Sequence, residues 1–227
     1  MKNAIKIFQT PVILLGGGDI NWPIFQHYLD KGWPLVAADG AANALEATDI
    51  VPELIMGDLD SLKNLERWEE KTAVHKIAEQ DTTDFEKCLY SIDAPHFIAF
   101  GFLGRRLDHT LATLHATAKY VGQKQILLID ESDAAIVTSD AVSLDIPIGC
   151  RISVFPLSQT LFASSTGLEY KLDGLVLAAG NRVGTSNRAS ANHVVITPET
   201  SNTGAYTVIV PVAEHEALLQ PITGTVD

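Results

Sequence analysis

With 227 residues, 46% of them hydrophobic and 19% charged, the chain holds enough apolar material for one large domain or two modest ones. Its 16 basic and 28 acidic residues give a formal charge of −12, which argues against nucleic acid or an anionic membrane surface as partners, since both attract a basic excess. Two distant cysteines, Cys88 and Cys150, without C-x-x-C spacing exclude a disulfide scaffold and a structural zinc site; with no apolar leader and no run of about 18 apolar residues, a cytoplasmic protein is expected.

Residues 11–15 form the first continuous apolar run, halted by Gly16-Gly17-Gly18, and residues 22–30 read as a short helix. Residues 34–38 form a second run, ended by Asp39-Gly40, with another short helix over 41–47. Residues 54–56 stop at Gly57, residues 74–77 make a weaker strand, and a helix is expected over 81–90. Residues 96–100 end at Gly101, and residues 125–129 close the series. Between those two runs Leu107, Leu111, Leu114 and Ala118 recur at i, i+4, i+7 and i+11, which places one apolar stripe on a single helix face. Continuous rather than alternating strands, separated by helices, mean a parallel sheet covered on both faces: a three-layer α/β domain over 1–140.

Beyond residue 140 the texture changes to strand and turn. Residues 142–146, 151–157, 168–172, 194–197 and 206–210 are rich in β-branched and aromatic side chains, and Pro147, Gly149, Gly167, Gly174, Gly180, Gly184 and Gly204 punctuate them. This pattern predicts an antiparallel β-sandwich over 141–227, with 180–187 as a long hairpin loop.

In an open parallel sheet, ligands bind beyond the carboxyl ends of the strands. Four runs end in polar clusters: Gly16-Gly17-Gly18-Asp19, Asp39-Gly40-Ala41-Ala42-Asn43, Gly57-Asp58-Leu59-Asp60-Ser61, and Gly101 through Arg105-Arg106-Leu107-Asp108-His109. Parallel strands bring these clusters to one edge. In an extended segment Asp58 and Asp60 face the same side and suit Mg²⁺; a solvated surface turn is the other reading of the pair. In Gln80-Asp81-Thr82-Thr83-Asp84-Phe85-Glu86-Lys87, Thr83 caps the helix and Asp81 or Asp84 complements its positive end, or a third carboxylate joins the metal pair with Lys87 in reach of phosphate. Arg105 and Arg106 match phosphate oxygens at a helix start, with Leu103 and Leu107 anchoring the segment near the core; simple capping by Asp108 beside solvated arginines is the alternative. Gly16 to Gly18 lacks the Gly-Lys-Ser/Thr of a Walker loop, and His109 and His115 are six apart, off one helical face. His215-Glu216 lacks the second histidine of a zinc motif, and no nucleophile elbow occurs.

Taken in order, these motifs resemble the thiamine pyrophosphokinase family, and the likeness continues through Gly167-Leu168-Glu169-Tyr170-Lys171-Leu172 and Thr185-Ser186-Asn187. The resemblance spans residues 10 to 190. It implies a transferase that moves the diphosphoryl group of ATP to the thiamine hydroxyl, giving thiamine diphosphate and AMP. It implies a homodimer with active sites between subunits, built from an ATP-binding α/β domain and a thiamine-binding, dimerising β-sandwich. By resemblance Asp58, Asp60 and Asp84 are the Mg²⁺ ligands; Asp39, Lys87, Arg106, Asp108 and His109 form or support the ATP site. Gln80 and Asp84 meet thiamine, and Ser186 and Asn187 reach it from the partner subunit. Asp39 is the candidate general base. The chain departs from the family where Arg105 replaces a common glycine, and at Ala41, where glycine is frequent. A pterin pyrophosphokinase and a non-catalytic nucleotide- or thiamine-binding module are the alternatives.

Overall fold

Residues 4–200 and 204–223 are described by a computed structural model. The uniformly apolar runs of the first half become strands buried on both faces, and three further strands of mixed composition are partly exposed. In chain order these strands are β1 (Lys6–Ile7), β2 (Val12–Leu15), β3 (Leu35–Ala38), β4 (Leu54–Gly57), β5 (Ala73–Lys76), β6 (Ile92–Asp93), β7 (Phe97–Phe100) and β8 (Ile126–Ile129). Every residue of β2, β3, β4, β7 and β8 is buried. They order as β8-β7-β2-β3-β4-β5, and the pairs from β7 to β5 are parallel, with Leu15 opposite both Ala37 and Phe100. The chain runs outward from β2 through β5 and then returns to β7 on the other side of β2. The strand order therefore reverses at the β2–β7 boundary, the position where such sheets open a crevice beyond their carboxyl ends.

Three helices of this half start for identifiable local reasons. Helix α1 (Trp22–Leu29) has Asn21 as its cap, accepting from the Ile24 N–H, with proline in its first turn. Helix α2 (Leu65–Glu69) follows the left-handed Asn64. Helix α3 (Asp84–Ser91) begins where Thr83 Oγ1 accepts from the Glu86 N–H at 3.3 Å, so the expected helix at 81–90 starts three residues later, at its cap. The helix expected over 41–47 is a 3₁₀ segment, Asp39–Leu45.

Helix α4 (Leu107–Lys119) corrects the expected apolar stripe. Leu107 and Leu111 are 73% and 57% exposed, whereas Thr113, Ala116 and Thr117 are buried. Small residues on the inner face permit close approach, and the Thr113 hydroxyl donates to the Phe102 carbonyl at 3.0 Å, so it is not stranded. Leu103 is buried as expected, but Leu107 anchors nothing in the core.

The chain divides into two compact units, Met1–Ala116 with Leu128–Glu131, and Thr117–Leu127 with Ser132–Asp227. The second unit takes in residues 117–127 and resumes at Ser132. The reason is β9 (Asp133–Thr138), which pairs along its whole length with a late strand of the second unit. The remaining strands are β10 (Val142–Asp145), β11 (Arg151–Pro156), β12 (Thr160–Thr166), β13 (Val176–Leu177), β14 (Gly184–Arg188), β15 (His193–Pro198) and β16 (Tyr206–Pro211). They form antiparallel arrays, β14-β11-β16-β9 and β10-β15-β12-β13. Phe162 and Tyr206, one from each array, meet edge-to-face at 5.1 Å in the core.

Two expectations fail in this unit. Residues 168–172 are not a strand; the chain turns at Gly167, where a side chain would strike the His193 carbonyl at 2.2 Å, and Leu168 makes one isolated bridge to Ala189. Asp173 Oδ1 accepts from the Ser165 N–H and Ser165 Oγ from the Leu172 N–H, closing 165–173 into a loop. Residues 184–187, the second half of the expected hairpin loop, instead belong to β14. No helix among the described residues is long and apolar enough to cross a membrane.

Candidate active site

The four polar clusters meet at the carboxyl ends of β2, β3, β4 and β7, lining a cleft of about 560 Å³, well within the range for small-molecule sites. Glycines make this convergence possible by letting backbones touch. A Cβ on Gly16 would lie 2.5 Å from the Gly101 carbonyl, and one on Gly57 would lie 2.7 Å from Asp39 Cβ and 3.1 Å from Asp84 Oδ1.

Asp39, Asp58 and Asp60 each place a carboxylate oxygen within 4.8 Å of the others. They are gathered by turns rather than by an extended segment. Asp39 has φ +47 and Leu59 φ +65, so the alternation expected for Asp58 and Asp60 is replaced by a left-handed residue between them. Strain of this kind persists only where surrounding contacts over-determine it. Here Ser61 N–H donates to Asp39 Oδ2, Asp60 N–H to Asp58 Oδ1, and Ser61 Oγ to Asp60 Oδ1 at 2.8 Å. Asn43 staples the same loop, donating to the Ser61 carbonyl and accepting from the Lys63 N–H, both at 2.9 Å. Asp39 is 4% exposed, and its Oδ1 has no hydrogen-bond partner.

Asp84, which the resemblance implies as the third metal ligand, stands one step back from that trio. Its Oδ1 accepts from Lys87 Nζ at 3.0 Å, and Lys87 also reaches Asp58 Oδ2 at 3.3 Å. Lys87 is 1% exposed. Burial alone would lower its ammonium, but the hydrogen bonds and charges of Asp84 and Asp58 outweigh that and hold it raised. Burial raises Asp84, aided by the like charges of Asp39 and Asp58 and opposed by Lys87. At Asp58 the burial penalty is overcome by donors from the Asp60 backbone, Gln80 and Lys87, so its carboxyl is lowered.

Gln80 Nε2 donates to Asp58 Oδ2 at 2.9 Å at the cleft wall. Glu79, which sequence reasoning missed, holds this segment. Its oxygens accept from the backbone N–H groups of Asp81 and Thr82, the Thr82 hydroxyl and the Tyr90 hydroxyl. The spacing of Glu79 two and three residues ahead of those N–H groups was a local signal available in the sequence.

At the opposite wall, Arg106 forms two hydrogen bonds to Asp108, at 3.1 and 2.6 Å, and both side chains are exposed. Hydrogen bonding and charge from each partner favour the other's ionised form. Arg106 and His109 line the cleft; Asp108 acts behind Arg106. Arg105 pairs with Asp19.

In the second unit, Ser186 is exposed with φ +60, and its N–H donates to Ser153 Oγ at 3.0 Å. Asn187 is buried: Oδ1 accepts from the Tyr170 and Arg188 N–H groups, and one N–H of Nδ2 donates to the Tyr170 carbonyl. It fastens the 167–172 loop to β14. Ser143, His193 and Asp145 also fall into line, at 3.2 and 2.8 Å. All three lie exposed on neighbouring strands, so water surrounds the hydroxyl and the trio serves as a cross-strand polar network.

Comparison with known proteins places these features in context. A family model described as thiamin pyrophosphokinase, catalytic domain, matches residues 25–129. Thiamin pyrophosphokinase 1 of Caenorhabditis elegans is 30% identical over 186 residues, covering 73% of this chain and 75% of that protein. Thiamine pyrophosphokinase 1 of rice is 26% identical, covering 75% and 77%. Among solved structures, thiamin pyrophosphokinase from Geobacillus thermodenitrificans superposes with a TM-score of 0.76 at 23% identity, covering 89% and 97% of the two chains. That from Candida albicans gives 0.76 at 17%, covering 92% of each.

Proposed function

The chain belongs to the thiamin pyrophosphokinase family, and from that premise we propose that it transfers the diphosphoryl group of ATP to the hydroxyl of thiamine, releasing AMP. The observation that carries the site assignment is the convergence of Asp39, Asp58 and Asp60 beside the buried Lys87, in a cleft where the sheet order reverses.

Mg²⁺ fits this donor set. Three carboxylate oxygens lie within 4.8 Å of one another, and Asp39 Oδ1 is buried without a partner. Asp39, Asp58 and Asp60 would hold the ion, with Asp84 adjoining them as the acid that fixes Lys87. When bound, the ion supplies charge neutralisation at the phosphoryl oxygens. Lys87 presents a positioned ammonium to the polyphosphate, and its pairing with Asp84 and Asp58 settles its place before substrate arrives. Arg106, steadied by Asp108, and His109 bind phosphate oxygens from the other wall. The reaction transfers an intact diphosphoryl unit, so holding the thiamine oxygen in line with the β-phosphorus contributes most.

Gln80 and Ser186 are assigned to thiamine. Gln80 is exposed at the cleft wall, and Ser186 is exposed and strained. Asn187 braces that loop through Oδ1 and one N–H of Nδ2, and its second Nδ2 N–H is assigned to thiamine beside Ser186. A homodimer with shared sites is part of the reading, and the uncovered Leu107 and Leu111 on α4 support it. So is an N-terminal ATP-binding domain with a C-terminal thiamine-binding and dimerising one. A cytoplasmic location, where ATP is at hand, completes the reading; nucleic acid and membrane have no part in it.

The test is incubation of the protein with thiamine, ATP and Mg²⁺, followed by chromatography. Thiamine diphosphate with equimolar AMP is expected. ADP with thiamine monophosphate would overturn diphosphoryl transfer, and binding without turnover would overturn the enzyme. For the shared site, mixed dimers of Asp60→Ala and Ser186→Ala chains are expected to regain activity that neither shows alone.

A further inference from the structure

Gly104 and Arg105 turn the chain after β7 in the left-handed region, with φ +76 and +47. Glycine adopts that conformation freely and arginine does not. The side chain crosses to the turn after β2: Nη1 donates to the Gly17 carbonyl at 3.1 Å, and Nε pairs with Asp19 Oδ1 at 2.9 Å. Gly16 and Gly18 are required by the Gly101 carbonyl, 2.5 and 2.7 Å from where their Cβ atoms would lie. Gly17 has neither such contact nor positive φ, so its bare backbone answers to no internal packing need. Arg105 and Gly17 both line the carboxylate cleft and also a neighbouring 400 Å³ recess walled by Ile20, Trp22 and Ala41. A ligand that reaches from recess to carboxylates passes the guanidinium.

The two loop arginines differ in how far their donors are committed. Arg106 grips Asp108 through two hydrogen bonds. Arg105 has one contact to a carboxylate oxygen and one to a neutral carbonyl, which leaves three of its five N–H donors for a ligand. Its side chain is 62% exposed and that of Asp19 is 42% exposed, so their ion pair is weak and exchangeable. We propose that Arg105 binds the nucleotide polyphosphate directly at the junction of cleft and recess, with Asp19 as the counter-ion that phosphate displaces. This rests on the ATP reading given above and adds a substrate-binding residue to it.

Calorimetric titration with Mg·ATP of the wild type, Arg105→Gly, Arg105→Lys and Asp19→Asn tests the assignment, alongside steady-state kinetics and melting curves. Arg105→Gly is suited to fold, since glycine relieves the left-handed strain. It is expected to weaken ATP binding about tenfold, the worth of one charge-assisted contact. The KM for ATP should rise correspondingly, with thiamine affinity unchanged. Lysine should restore part of the loss, keeping the charge without the planar fork. Asp19→Asn should bind ATP as tightly as the wild type or more so, since a competing carboxylate is gone. ATP affinity unchanged in Arg105→Gly would overturn the proposal, whatever its melting temperature. So would Asp19→Asn weakening ATP as much as Arg105→Gly, which would assign the pair to holding the loop. Failure of the wild type itself to bind Mg·ATP would overturn the functional reading and the proposal with it.

Discussion

Lys87 and the Arg105–Arg106 pair face one cleft, yet Lys87 is 1% exposed between two carboxylates, while the arginine side chains are 62% and 65% exposed. The lysine is placed by helix α3, whose capped start also fixes Asp84. The arginines ride on a left-handed turn tied down by surface ion pairs. A buried charge among fixed acids cannot relax, so under the proposed function it meets phosphate already positioned, at the expense of desolvation. The ion pairs of the exposed arginines are screened by water and salt, so under the proposed function they can exchange a carboxylate for a phosphate as a substrate arrives. One wall of the cleft is thus a rigid template and the other an adaptable clamp.

The sharpest way to break the template is at the proposed metal ligands. Asp60→Ala should reduce turnover by more than about 100-fold, beyond what outer-shell partners of a metal cost. Asp60 is exposed, so the melting curve should stay near that of the wild type. Near-normal Mg²⁺-dependent turnover would remove Asp60 from the metal set.

Lys87→Met tests whether the rigid wall also holds the fold. The Asp84 and Asp58 side chains left behind are 34% and 13% exposed, so water takes up part of the loss, and denaturant unfolding should show a cost of about 1–3 kcal/mol together with lost activity. Adding Asp84→Asn should recover stability but not turnover. A double variant no more stable than the single one would mean that Asp84 is not left stranded by the loss of Lys87.

The clamp should respond more mildly. Arg106→Ala should raise the KM for ATP about tenfold while the thiamine KM holds, and the difference should shrink as ionic strength rises. An effect equally large at high salt would contradict its exposed, screened setting.

The smallest effect is expected at Glu79, whose carboxyl falls from its ordinary 4.5 to about 2, chiefly through the Thr82 hydroxyl and then through Tyr90 and two backbone N–H groups against a burial penalty. Its folded value is depressed, so its contribution is complete above about pH 4.5 and is lost as pH falls toward about 2. The melting-temperature gap between wild type and Glu79→Gln should therefore narrow from about pH 5 to about pH 3. A gap constant across that range would show that the carboxylate charge is not what holds the 79–82 segment.

Much of the first unit is legible in its residues. Uniform apolar runs that end in glycine and aspartate read directly as buried parallel strands with a site at their carboxyl ends, since burial on both faces leaves no room for alternation. Thr83 before Asp84-Phe85-Glu86 marks a helix start because a hydroxyl can satisfy the Glu86 N–H. The second unit is less readable. Residues 160–166 alternate and carry a bulge, so β12 leaves only a weak periodic trace, while 168–172 look like a strand yet close into a loop on Ser165, Asp173 and Asn187.

By itself, then, the sequence determined which polar segments gather: those carrying Asp39, Asp58, Asp60, Gln80, Asp84, Lys87, Arg106 and His109 are brought to one edge by the parallel sheet. Only the tertiary structure decided their partners. It set Asp39 beside Asp58 and Asp60, gave Asp84 to Lys87, tied Asn187 to the Tyr170 backbone, and turned Leu107 and Leu111 outward. Periodicity reports which residues share a face. Which face is buried, and which carboxylate meets which ammonium, follows from close backbone approach at glycines and from left-handed turns, and those depend on contacts between segments far apart in the chain.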